Sequence, residues 1–147
     1  MTQTPIPAGF SPVQTAGFGG FAGPVMGGSD AEGDLFLLDI APQHLNGDAR
    51  LHGGMMMSLV SIVMGEVANR TAAAKEAGNA ARPLSLNCDF VSAGETGERV
   101  EGRAVITRAT RSVMFISGTL KVGDRLLMSA TGVYGIKAAD TKCRRGT

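Results

Sequence analysis

The sequence predicts an α+β fold, an antiparallel β-sheet wrapped around one long central helix, and three observations carry that expectation. From His52 to about Ala77 the chain is rich in Met, Leu, Val and Ala, which predicts a single long helix. After Gly78, four β-rich runs follow: Leu84–Val91, Val100–Arg108, Val113–Val122 and Leu126–Ile136. Only short turn-like pieces separate them, and strands joined by such short connections pair antiparallel. Before the helix, Leu35–Ile40 reads as one further strand.

Taken in order, residues 1–33 hold eight glycines and four prolines without a period, and are read as a loop-like lead-in rather than a second domain. Within it, Gly17-Phe18-Gly19-Gly20-Phe21-Ala22 superficially matches a dinucleotide-binding pattern. The motif needs a strand before it and a helix opening after it. No strand is predicted upstream and Pro24 follows, so the segment is read as irregular. Residues 34–138 form the predicted domain, and 139–147 a C-terminal tail. Gly54, Ser58, Ser61, Gly65, Ala68 and Ala72 recur at spacings of three and four, a stripe of small side chains that one face of the helix presents to something close. Met55, Met56, Leu59, Ile62 and Val63 occupy its other faces, so this half of the helix should be enclosed. Gly123-Asp124 between two strands is a two-residue hairpin signal, because glycine readily takes the positive φ such turns demand.

Composition narrows the function. A chain of 147 residues, 44% hydrophobic and 18% charged, can bury the core of one soluble domain. Aromatic residues make up only 5%, with no Trp, which leaves little for base stacking, so nucleic acid is not an expected partner. Residues 1–50 carry five acids and one base, Arg50, whereas 51–147 carry thirteen bases and eight acids, an imbalance compatible with a phosphate-bearing ligand or simply a solvated surface. The first base lies fifty residues in, unlike the charged start of a secretory signal. The longest apolar stretch, Met55–Met64, is half the roughly 20 residues that span a bilayer. Cys88 and Cys143 form neither a disulfide framework nor a zinc pattern. A cytoplasmic protein without metal, cofactor or membrane partner is expected.

The most informative stretch is Asn46-Gly47-Asp48-Ala49-Arg50-Leu51-His52-Gly53-Gly54. Two glycines at the start of an apolar helix cost roughly 1 kcal/mol each relative to alanine, which is understandable where backbone must approach a ligand. The first amides of a helix have no internal acceptor, and the helix dipole adds positive potential there. Such amides suit a carbonyl oxygen that becomes negative during acyl transfer, at about 3 kcal/mol per donor. A glycine-rich turn that only admits the chain to a buried helix fits the local residues equally well.

Asn46, His52-Gly53-Gly54, the long apolar helix and the closing strand Met128-Ser129-Ala130-Thr131-Gly132-Val133-Tyr134 together resemble the hotdog-fold acyl-CoA thioesterases, closest to the phenylacetic-acid-pathway branch. The resemblance covers about residues 34–138. It implies a homodimer or a homotetramer with the site at a subunit interface, and cofactor-free hydrolysis of a small or medium acyl-CoA. In that implied site the amide of Gly53 or Gly54 polarises the thioester carbonyl, and Asn46 and His52 order the reacting groups. Arg108 and Arg111 flank the turn where related proteins place CoA-contacting residues, and their planar donor forks suit phosphate; solvated hairpin arginines would look the same. Met55–Met57 either line an adaptable acyl pocket or pack the core.

Two departures stand out. The family carries Asp or Glu nine positions after the histidine, and here that position is Ser61. Nine helical residues rotate about 900° and rise roughly 13 Å, so Ser61 faces away from His52 and serves only a site built with a second subunit. A serine is no base; it can hold a water, act as a nucleophile beside a base, or simply pack in the small stripe. Glu66, five residues on and about 140° around, does not reach the same point and sits at i, i+4 spacing from Arg70, while Asp48 precedes the helix where an acid favours the dipole. The second departure is Ala49, where the family usually has Gly. A chain with Ser61 in place of the acid is accordingly either a thioester hydrolase with a substitute base or a hotdog protein that binds acyl-CoA or acyl carriers without hydrolysis. A hotdog dehydratase is disfavoured by the absence of an Asp-x-Asn-x-x-His pattern.

Overall fold

The computed structural model describes residues 4–13 and 16–138; Cys143 and the rest of the tail lie outside them. Among the described residues seven strands form one antiparallel sheet: β1 (Ser11–Val13), β2 (Val25–Asp30), β3 (Gly33–Asp39), β4 (Ala80–Phe90), β5 (Arg99–Ala109), β6 (Val113–Val122) and β7 (Arg125–Lys137). Their spatial order is β1-β2-β3-β5-β6-β7-β4. Two helices complete the chain, the short α1 (Gly17–Ala22) and the 23-residue α2 (Gly53–Lys75). The sheet curls around α2, giving the hotdog arrangement that the sequence implied. No helix of the described residues is long and apolar enough to cross a membrane.

The core lies between α2 and the concave face of the sheet. Met56, Leu59, Val60, Val63 and Met64 descend from the helix onto Phe36, Leu38, Met114, Ile116, Leu120 and Met128, all buried. The helix can sit this close because glycines face it from three neighbouring strands. A Cβ at Gly102 would stand 2.7 Å from Val63, one at Gly118 3.1 Å from Met64, and one at Gly132 2.8 Å from Met64. The small stripe runs partly inward, where Ala68 and Ala72 are fully buried, and partly toward β4, where Ser61 and Gly65 are half-buried.

The lead-in is where the expectation needs correcting. The Gly/Pro-rich segment supplies β1, α1 and β2, and the match to a dinucleotide motif is the six-residue α1, which joins β1 to β2. The glycines that made this stretch look structureless are sites of close packing: a Cβ at Gly28 would meet the Phe10 ring at 2.7 Å, and one at Gly27 would meet Val13 at 2.8 Å. Charge reinforces the attachment, because Arg103 on β5 reaches over β3 to pair with Asp30 at the end of β2. That guanidinium hydrogen bond holds the Asp30 carboxyl below the usual aspartate range. Arg99 and Asp39 make a two-pronged pair directly across β3 and β5, at 2.6 and 3.0 Å.

Candidate functional site

Residues 44–52 fold into a miniature hairpin that delivers the chain to the start of α2. Its ladder runs from the His52 amide donating to the His44 carbonyl (2.8 Å), through a Leu45–Leu51 bridge, to the Asn46 amide donating to the Arg50 carbonyl (2.8 Å). The Asn46 side-chain carbonyl closes the tip by accepting from the Asp48 amide at 2.9 Å and the Arg50 amide at 3.1 Å. Ala49 takes φ +57° to complete the turn, a left-handed conformation that glycine adopts without strain. The second strand of the hairpin is stitched to the loop between β4 and β5 by the Leu51 amide donating to the Gly94 carbonyl at 2.8 Å.

His52 is the N-cap of α2. Its ring Nδ1 accepts from the Gly54 amide at 2.8 Å, so the neutral ring carries its proton on Nε2, on an exposed side chain. The first intrahelical bond is the Met56 amide donating to the His52 carbonyl at 3.0 Å. Of the two glycine amides singled out in the sequence, Gly54's is taken by the cap, and Gly53's, first in the helix, has no intrahelical acceptor. Both glycines have a steric reason. A Cβ at 54 would lie 2.9 Å from His52 Nδ1 and break the cap; one at 53 would lie 3.1 Å from the ring of Phe90, at the end of β4. The amide left without an intrahelical acceptor is therefore that of Gly53, a residue beside the Phe90 ring at the positive end of a helix about 34 Å long.

Ser61 lies elsewhere, in a cleft of about 180 Å³ between α2 and β4, with Ile62, Gly65, Asn69, Pro83 and Tyr134. The buried Tyr134 hydroxyl donates to the Ser61 carbonyl at 3.4 Å, and burial pushes this phenol up from its ordinary pKa. Glu66 borders another depression together with Asp34 and Arg70, and Arg70 bonds Asp34 across to β3 at 2.9 Å. Asp48 is an exposed residue of the hairpin tip. Arg108 and Arg111 are exposed at the β5–β6 turn; Arg111 lines a surface depression with Lys75, the last residue of α2. One subunit thus carries Asn46 at the hairpin tip and His52, Gly53 and Gly54 at its base, with Ser61 more than two turns along the helix and Arg111 near its far end. Met56 is buried core, whereas Met57 is exposed.

Sequence reasoning missed two residues around the site. Phe90 gave no signal beyond an aromatic residue closing a strand. His44 is a buried polar residue that no motif or periodicity in the sequence marks. Cys88 has its thiol pushed up by burial and by the neighbouring Asp89 charge, which leaves it a poor nucleophile. Among the described residues no cluster of His, Cys, Asp and Glu could hold a metal ion.

The comparisons decide the family. Residues 49–129, a span from the hairpin through the helix and into β7, match the thioesterase superfamily. The chain belongs to that superfamily. This thioesterase-superfamily chain is 27% identical over 131 residues to a Pseudomonas aeruginosa protein, PA0474, provisionally named an esterase; the match covers 88% of this chain and 96% of that protein. In fold it is similar to a Bacillus halodurans protein solved with CoA, at TM-score 0.67 and 22% identity over 76% of this chain and 71% of that one. It is likewise similar to the E. coli PaaI protein from the phenylacetic acid degradation operon, at TM-score 0.65 and 18% identity over 72% and 73% of the two chains. A thioesterase-type protein of Streptococcus pneumoniae solved with coenzyme A matches at TM-score 0.64 and 15% identity, over 74% and 83%. The superfamily makes the chain a thioester hydrolase in class.

Proposed function

We propose that this chain hydrolyses small or medium acyl-CoA thioesters in the cytoplasm, at a site completed between two subunits. The observation that carries the reading is the Gly53 amide, left without an intrahelical acceptor at the helix N-terminus while His52 caps Gly54. A thioester carbonyl seated there gains a donor and a positive dipole end as its oxygen becomes negative on attack. In this reading His52 Nε2–H and the Asn46 side-chain NH2 group, both on exposed residues, order the reacting water and thioester. Phe90 offers the acyl group an apolar neighbour beside the amide. The CoA carrier is supported by the fold-level likeness to proteins solved with CoA, and Arg108 and Arg111 of another subunit are the candidate phosphate contacts. Arg111 of the same chain lies beside Lys75, at the far end of α2 from His52, which favours the arginines of another subunit.

Ser61, with no carboxylate, is the feature that favours a second reading, a protein that binds acyl-CoA without turnover. Thiol release from a panel of acyl-CoAs by wild type, His52→Ala and Ser61→Asp separates the two. Turnover by wild type, lost in His52→Ala, is the result expected for the enzyme. An inert wild type with activity gained in Ser61→Asp marks a binding protein on the right scaffold; silence from all three sinks the hydrolase reading, and absence of acyl-CoA binding by the wild type in calorimetry sinks the other.

A further inference from the structure

We infer that His44 is a positioning residue of the site, holding the hairpin that carries His52 so that the Gly53 amide keeps its direction. The kinetic part of this inference rests on the hydrolase reading. His44 is a buried polar side chain, 3% exposed, and both of its ring nitrogens are engaged. The Ala41 amide donates to Nδ1 at 3.1 Å, so the neutral ring has its proton on Nε2, which donates to the Ala22 carbonyl at the end of α1 at 2.7 Å. One neutral imidazole offers one acceptor and one donor, and here both have a partner, so the ring has a single satisfied orientation.

That orientation is transmitted directly. The Ala41 bond ties residue 44 back across the one-turn helix Pro42–His44, fixing the peptide whose carbonyl accepts the His52 amide at 2.8 Å. His52 is in turn the residue whose ring caps Gly54. Three hydrogen bonds therefore lead from the Ala41 amide, through the last residue of the one-turn helix, to the cap at the start of α2. The Ala22 bond does a different job, anchoring α1. The two functions of the ring can be separated chemically: asparagine places an acceptor near Nδ1 and keeps the Ala41 bond, whereas glutamine reaches toward Ala22 with a donor and abandons Ala41.

The test is His44→Leu, His44→Asn and His44→Gln, followed by kcat and KM for thiol release, thermal unfolding, and NMR hydrogen exchange of the Gly54 amide. The expected result is a kcat in His44→Leu lower by about 10- to 100-fold, as for misplacement of a reacting geometry, with KM changed by less than about threefold. Gly54 exchange should accelerate in the same variant well below its unfolding temperature. His44→Asn should recover most of kcat and of the exchange protection, and His44→Gln should not, even where the two melt alike. A folded His44→Leu with wild-type kcat and unchanged Gly54 exchange overturns the inference, as does a loss of kcat that simply follows melting temperature across all three. Should His44→Leu fail to fold, the contrast between Asn and Gln decides. Should the wild type hydrolyse nothing, the functional reading fails on its own and Gly54 exchange still decides the role of His44.

Discussion

At the scale of single residues, the His-Gly-Gly sequence has a compact physical explanation. Histidine is an uncommon N-cap, and its ring Nδ1 reaches the amide two residues on because Gly54 has no side chain in the way. The same amide pairing sorts the two glycines, which the sequence presented as equivalent: Gly54 donates to the cap, and Gly53 has no intrahelical acceptor. Ala49 shows the reverse situation, a side chain kept where the backbone does not want one. At φ +57° an L-residue is strained by about 1–2 kcal/mol, and glycine's greater freedom in the unfolded chain returns about 0.4–1 kcal/mol of that. Ala49→Gly is therefore expected to stabilise the protein by about 0.5–1 kcal/mol, read as a higher urea midpoint at unchanged slope. A lower midpoint would show that the turn is not strained at this position.

At the scale of elements, the packing of α2 is governed by the sheet as much as by the helix. The sequence displayed a stripe of small residues on α2, yet the closest approaches occur at Gly102, Gly118 and Gly132, where Val63, Val60 and Met64 enter the strands. A methyl group at 102 would stand 2.7 Å from Val63 and 3.3 Å from Leu120, both buried and without room to yield. Gly102→Ala is expected to cost about 1–3 kcal/mol, the range for overpacking a filled core, and urea unfolding checks it. Val63→Ala in the same chain should return part of the loss, whereas strictly additive losses would place the strain elsewhere. The helix and the five strands from Leu35 onward were legible because each has the periodicity of its type and is bounded by turn residues. Val113–Val122 matches residue for residue, and Gly123 takes φ +56° in the two-residue turn expected of it. β1, α1 and β2 were not legible: in β2 the alternation is erased by Gly27 and Gly28, whose role is to admit Val13 and Phe10 from distant positions, and such contacts leave no local pattern. The site was half legible for the same reason. Amides at a helix start can be read from sequence, but which of them a side chain consumes depends on a rotamer.

At the scale of the whole molecule, the sheet has an open edge beside the proposed site. β4 is an outer strand, paired on one side with β7, and its neighbourhood exposes Leu84, Phe90 and Val91, each more than half accessible. An open edge flanked by apolar side chains is a surface that association covers. Phe90 lies against Gly53, and the Ser61 cleft is bounded by Pro83 of the same strand, so a second subunit on this edge would border both halves of the proposed site. Two consequences are testable together. Sedimentation at micromolar concentration should show a dimer or a tetramer, and Leu84→Arg should shift it toward monomer with loss of thiol release. Mixing an inactive His52→Ala protein with an inactive Ser61→Phe protein, after brief unfolding and refolding, should then restore activity. In a two-fold dimer with one defect per chain, half of the randomly mixed dimers carry one intact site of two, so about a quarter of the wild-type rate is expected. Recovery near that value ties His52 and Ser61 of different chains to one site. No recovery, with mixed dimers shown to have formed, would mean that each chain carries its own complete site and that Ser61 only packs the cleft.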